Sequence, residues 1–264
     1  MKYENLHNYL FNLLGQGELI FSKDSALKAL GVTDAALRNS IKRQVAAKNI
    51  KRLMQGYYLI IPPEYQKMSS VPPELFINDL MKQLRIPYYV SLLSAASFHG
   101  ATHQAVQIFQ VMVKQPIKAI SLERTRIQFY FNKKLEAIPT ELLKTDRGPL
   151  TISTVEATAL ELVRYIQQSG NLNHVATVLA EIGEKIDKNL LVETAELFPL
   201  ITIQRLGYLL EILDYQTLSK SLAQYLLIKK PLFYSPLSPG KVDFTAKKSK
   251  KWHLIINENV EPDL

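Results

Sequence analysis

Cysteine is absent from the 264 residues, which excludes disulfides and thiolate metal sites. A reducing cytosol is compatible with that absence but is not required by it. The N-terminal stretch MKYENLHNYL carries Glu4 and lacks the apolar core and small-residue cleavage site of a secretory signal. Long apolar runs are also missing. The longest stretch without Asp, Glu, Lys or Arg, from Ile86 to Val113, holds too much Pro, Gln, His, Ser and Thr for a bilayer span. A soluble, cytoplasmic chain with no membrane partner is expected.

Signature glycines are scarce too. The nearest approach to a phosphate loop, Gly15-Gln16-Gly17, runs into Glu18-Leu19-Ile20 and lacks the Gly-Lys-Ser/Thr that would cradle phosphates. No Gly-Ser followed by paired aspartates appears, so a nucleotidyltransferase site is missing, and Asp146, Asp187, Asp214 and Asp243 stand singly.

The stretch 90-VSLLSAASFHGATHQAVQIFQVMV-113 does resemble chemistry, with three serines and the pair His99/His103. It nonetheless has no Gly-x-Ser-x-Gly elbow, and no acid lies between Asp79 and Glu123 to orient either ring. Gly100 is expected to end the helix between the histidines, which would separate a metal pair that already lacks the glutamate of His-Glu-x-x-His. The residues therefore predict no catalytic group, no cofactor and no metal. A hydrolase using His99 with a serine of residues 91–97 is the rival reading, and a non-catalytic interaction scaffold is another.

What is present is enough apolar mass for a core, 47% hydrophobic against 21% charged, and a net charge of +8. Its placement is uneven. Residues 1–61 hold nine Lys/Arg against four Asp/Glu, while the remainder holds 23 against 20. A basic N-terminal segment on a nearly balanced body points to a polyanionic partner for the first part. The segment 60-IIPPEYQKMSSVPPE-74, with two Pro-Pro pairs, marks the boundary. The division is 1–61, a linker over 62–73, and a larger domain over 74–264.

In the first part, Leu6, Tyr9, Leu10 and Leu13 share one helical face. A second helix follows over 22–30, capped by Ser22 and closed by Gly31, and a third over 33–49, capped by Thr33 with Asp34 in its first turn. Two short strands around Gln55-Gly56 make a hairpin. That order is a winged helix-turn-helix. With Leu37, Ile41 and Val45 expected in the core, the third helix would show Arg38, Asn39, Lys42 and Arg43 outward. Arg and Asn match base edges in the major groove of double-stranded DNA. Lys51 and Arg52 would reach phosphates from the hairpin. The DNA-contacting set is thus Thr33, Arg38, Asn39, Lys42, Arg43, Lys51 and Arg52.

The larger part reads as helices over 74–85 and 91–99, strands over 106–113 and 126–132, then a helical series. A Ser153/Glu156 capping box is expected to open the helix 154–170. Helices over 173–187, 189–198, 202–214 and 217–228 follow, 247-KKSKK-251 is expected as a solvated turn, and a strand over 252–257 ends the series. In strand 126–132, Ile127, Phe129 and Phe131 are expected on one side. The class is α+β: a winged helix-turn-helix followed by a larger, mainly helical domain with a small sheet.

The runs 89-YVSLLSAASFHGATHQAVQIFQVMV-113, 152-ISTVEATALELV-163, 204-QRLGYLLEIL-213 and 252-WHLIIN-257 resemble the AbiEi family, the antitoxins of AbiE abortive-infection (type IV) toxin–antitoxin systems. The resemblance implies an N-terminal DNA-binding domain that represses its own operon by binding inverted repeats in the promoter. It also implies a C-terminal domain that counters a nucleotidyltransferase-like toxin. It assigns no toxin-neutralising residues.

Overall fold

The computed structural model describes residues 3–67, 70–101, 108–229, 232–241 and 245–263. It is α+β. In chain order the elements begin with α1 (Leu6–Gly15), β1 (Ile20–Ser22), α2 (Lys23–Leu30), α3 (Asp34–Ala46), β2 (Ile50–Met54) and β3 (Tyr57–Ile60). They continue with α4 (Pro63–Gln66), α5 (Ile77–Leu84), β4 (Tyr88–Val90), α6 (Leu92–Phe98), β5 (Ile108–Val113), β6 (Ile120–Ser121), β7 (Arg126–Phe131), β8 (Thr140–Thr145) and β9 (Gly148–Ser153). Then come α7 (Val155–Arg164), α8 (Leu172–Ile182), α9 (Lys188–Ala195), α10 (Leu200–Ile212), α11 (Gln216–Ile228), β10 (Ser235–Pro236), β11 (Lys247–Ser249) and β12 (Leu254–Ile256). Contacts divide them into two compact units: residues 1–88, 107–133 and 142–151 in the first, and 89–106, 134–141 and 152–264 in the second.

Within the first unit, α1, α2 and α3 enclose one core with a three-stranded antiparallel sheet of order β1-β3-β2. Leu6, Tyr9, Leu10 and Leu13 of α1 meet Ala26, Leu30, Leu37, Ile41, Ile50 and Ile60 there. Tyr9 contacts Phe21 edge-on, and Phe21 stacks on Tyr58 with centroids 5.3 Å apart. Local signals fix the helix ends. The Ser22 side chain caps α2 in a reciprocal box with Ser25, and Gly31 closes α2 at φ +62, a left-handed turn that costs glycine nothing. Thr33 Oγ1 accepts from the Ala36 N–H at 3.3 Å at the start of α3.

Val45 does not join this core. Leu37 and Ile41 are buried, but Val45 is 42% exposed. Steps of four residues drift by about 40° each on a 3.6-residue helix, so a stripe that starts at Leu37 has left the core side two steps later.

The segment 62–73 carries α4 and leads into a 3-10 turn at Pro73–Leu75, with Val71 and Pro73 buried. Also in this unit, β5 pairs parallel with β7, Ile108↔Arg126 through Val113↔Phe131, and β6 pairs antiparallel with β7. Phe131 ends β7 and is exposed, unlike Ile127 and Phe129.

The second unit is built mainly from helices. Every residue of α7 from Glu156 to Val163 is buried. Its N-cap is Thr154, which accepts from the Ala157 N–H, and the helix ends at Arg164. Ser153 instead turns inward to the Thr158 hydroxyl at 2.7 Å. Glu156 leaves the expected capping box as well, accepting the Asp187 N–H at 3.0 Å. Residues 247–249, expected as solvated turn, form the edge strand β11 against β12, and β10 pairs parallel on the other side of β12. On α10, Gln204, Gly207 and Glu211 share one face that grips the chain before β12. Gln204 donates to the His253 carbonyl at 3.4 Å, Gly207 lies under the Trp252 ring, and Glu211 accepts from the Trp252 indole and from Lys251.

Candidate nucleic-acid interface

The face of α3 turned from the core is exposed at Ala35, Ala36, Arg38, Asn39, Lys42, Arg43 and Ala46. Between α3 and the β2–β3 hairpin lies a groove of about 840 Å³. Arg38 and Lys42 line it from the helix and Arg52 from β2, while Ile41, Val45, Tyr57 and Tyr58 give it an apolar floor. Gly56 at the hairpin tip has φ +81, and a Cβ there would meet nothing within 4 Å. The glycine therefore serves the turn, not the space.

The sequence-derived set thus splits. Arg38, Lys42 and Arg52 converge on one groove. Asn39 and Arg43 stand further round α3, exposed, with the Arg43 guanidinium donating to Ser40 Oγ at 3.1 Å. Thr33 is spent on capping. Lys51 and Arg52 are neighbours in a strand, so their side chains leave opposite faces. Arg52 faces the groove, and Lys51 pairs with Glu123 at 3.0 Å.

Asp24 lines the groove as well, and a second acid, Asp34, engages two of its cations from beside it. Asp34 pairs with both Lys23 and Arg38. The Lys23 hydrogen bond, followed by the Arg38 charge, holds the Asp34 carboxyl below the usual carboxylate range. Lys42 and Asn39 have no partner among the described residues. Sequence reasoning missed Lys23, Asp24 and Val45 as groove residues. Lys23 had a readable signal, since it directly follows the Ser22 cap and so sits at the first turn of α2.

The rival site resolves differently. His99 is buried at the end of α6, and its Nε2 lies 2.8 Å from the Ser153 carbonyl oxygen. A carbonyl only accepts, so this nitrogen carries the proton and is not free to serve as a base for a serine. An acid does arrive from afar: Glu141 stands 3.8 Å from Nδ1. Lys185 donates to the His99 carbonyl. Ser97 donates to the Ser94 carbonyl at 2.8 Å, and Ser91 Oγ is buried without a partner among the described residues. His103 lies outside the described residues, among which no group of three or more His, Cys, Asp or Glu is placed to hold a metal. Nor is any described helix long and apolar enough to cross a membrane.

The same unit buries a second polar chain. Tyr89 donates to Glu161 at 2.5 Å, and the other Glu161 oxygen has no partner among the described residues. Burial pushes the Glu161 carboxyl up to about 7, against the opposing hydrogen bond from Tyr89.

None of the curated proteins matches the chain. Among solved structures the fold is similar to that of the RV2827C protein from Mycobacterium tuberculosis, at 12% identity over 97% of this chain and 92% of that one, with a TM-score of 0.67. At so low an identity the likeness shows the fold alone. Residues 89–212 match the family model of the AbiEi antitoxin C-terminal domain. That span contains the markers 89–113 and 152–163 whole and 204–213 to its penultimate residue, and leaves 252–257 outside. That match, over a little under half of the chain, supports the resemblance to the AbiEi antitoxins.

Proposed function

We propose that the protein is a DNA-binding autorepressor and antitoxin of an AbiE-like toxin–antitoxin system, acting in the cytoplasm. In this reading residues 1–61 form a winged helix-turn-helix, with α3 as the helix that enters the major groove and β2–β3 as the wing. Residues 62–73 connect it to an antitoxin domain over 74–264. The operator would be the inverted repeats of its own promoter, and the toxin a nucleotidyltransferase-like protein.

One observation carries the reading. Arg38 and Lys42 on α3 and Arg52 on the hairpin face one another across a single groove, with Asn39 and Arg43 exposed beside them. Forked donors matched to base edges and cations matched to phosphates thus occupy the two elements that flank a duplex in this motif. Small exposed alanines at either end of that face, Ala35, Ala36 and Ala46, leave room for close approach.

The test is a gel shift of the full chain with a duplex of its own promoter, run across salt concentrations. Arg38→Ala with Lys42→Ala is expected to weaken binding and to flatten the slope of log K against log salt by up to about 1.8, about 0.9 for each phosphate neutralised. Unchanged affinity and slope in the double variant would overturn the assignment. The antitoxin role is tested by co-expression with the product of the adjacent gene, where failure to restore growth would refute it.

A further inference from the structure

Lys51 was expected on DNA phosphate, and its ammonium is already held by a carboxylate from a distant part of the sequence. Its Nζ lies 3.0 Å from Glu123 Oε1. Glu123 sits in the turn between β6 and β7, which the Leu122 N–H closes onto the Thr125 carbonyl at 2.8 Å. Leu122 is buried and anchors that turn, β6 lies against β2, and Ser121 faces Arg126 across the β6–β7 pair.

The turn carries more than the acid. Arg124 and Arg126 are exposed, with no partner among the described residues. Lys48, in the link between α3 and β2, is exposed and adds its charge to the same carboxylate. The turn and the two lysines that act on its carboxylate thus carry four cations against one acid. The pairing with Lys51 holds the Glu123 carboxyl below its usual range, so it is a full negative charge at neutral pH. The surplus is +3, and the carboxylate is 58% exposed and open to displacement.

Resting on the DNA-binding reading, we propose that the turn 121–126 is a second phosphate-binding arm beside the wing, with Arg124 and Arg126 as its contacts. Glu123 is its displaceable counter-charge: a backbone phosphate of the duplex takes the carboxylate's place on Lys51. The occupant is nucleic-acid backbone because Lys48, Arg124 and Arg126 offer exposed cations beside the hairpin lysine. Phosphate contacts of this kind strengthen binding without reading sequence.

The experiment uses the full chain, a labelled duplex of its own promoter and a scrambled duplex of equal length. Arg124→Ala with Arg126→Ala is expected to flatten the salt slope by about 1.8, and to weaken promoter and scrambled duplex by the same factor. Glu123→Gln is expected to tighten both about fivefold, the worth of one unscreened charge contact near 4 Å in water. Lys51→Ala should cost more affinity in the Glu123→Gln background than in the native chain, where the lysine must first be freed. Melting temperatures serve as the fold control, since these side chains are at the surface.

If Arg38→Ala with Lys42→Ala abolishes the promoter preference while neither turn variant changes affinity or slope, the arm is refuted and the DNA-binding reading stands. If the native chain binds neither duplex, the reading falls and the arm with it.

Discussion

Charge is treated in opposite ways on α3 and inside α7. On α3 the cations are outside and their one acid, Asp34, is 42% exposed and shared between Lys23 and Arg38. Inside α7 the acids Glu156 and Glu161 are almost fully buried and answered by the Asp187 N–H and the Tyr89 hydroxyl. Exposed pairs gain little and exchange partners easily, as a surface that meets a ligand requires. A buried acid is a structural commitment, because its partners must stay in place or the desolvation cost goes unmet. The consequence is that substitutions of these buried groups in the second unit should register in stability, and those of the exposed charges on α3 in binding.

The largest effect belongs where Trp252, 1% exposed, lies on Gly207. Trp252→Ala is expected to cost about 3–5 kcal/mol, read by urea unfolding. Gly207→Ala would set a Cβ 2.0 Å from the indole ring, and is expected to cost about 1–3 kcal/mol. The two should be strongly non-additive, since removing the indole makes room for the methyl. Additive costs would show that the ring and the glycine do not share this contact.

Next comes Glu161. Its folded carboxyl titrates near 7 and its unfolded one near 4.5. Between those values the folded state holds a proton that the unfolded state has released, so stability falls as pH rises from about 4.5 to about 7 and then levels. The total is on the order of 3 kcal/mol. Glu161→Gln keeps the shape and cannot ionise. It is expected to remove that part of the slope, matching the native chain at pH 4.5 and exceeding it at pH 8. Parallel stability curves for the two proteins would show that Glu161 stays ionised in the fold.

On α3 the corresponding change should act on binding alone. Asp34→Asn releases Lys23 and Arg38, two cations that line the groove. It is expected to tighten promoter binding about fivefold, by the same single-charge reasoning, with little change in melting temperature. Weaker binding would mean that Asp34 positions Arg38 for the duplex instead of competing with it.

Much of the first unit was legible because its signals are local. The α1 face, the Ser22 and Thr33 caps, Gly31 and the Gln55-Gly56 turn are all decided within a few residues. Strands went unread where that logic fails. β1 is three residues long and exists only through β3, and β8 has no buried residue, so neither offers an alternating stripe. In the candidate site, the residue types on α3 were readable but their partners were not. Lys51 and Glu123 are 72 positions apart, and no spacing rule links them. The Ser153 cap was misplaced by one residue because Thr154 offers the same hydroxyl one step on.

The smallest effect tests the finest point of the comparison, where the core of the first unit stops and its binding surface starts. Sequence spacing puts Leu37, Ile41 and Val45 in one buried row, and the structure leaves Val45 42% exposed on the groove floor. Val and Ser have similar helix propensities, so Val45→Ser isolates the burial. A core valine would cost well over 1 kcal/mol on gaining a hydroxyl without a partner, whereas a surface one should stay within about 0.5 kcal/mol. Ile41, 6% exposed one turn earlier, supplies the contrast, with about 2–5 kcal/mol expected for Ile41→Ala. A Val45→Ser cost approaching that of Ile41→Ala would return the residue to the core and narrow the groove to its charged walls. A near-zero cost, measured beside altered promoter binding, would place the boundary between Ile41 and Val45, a single turn of α3.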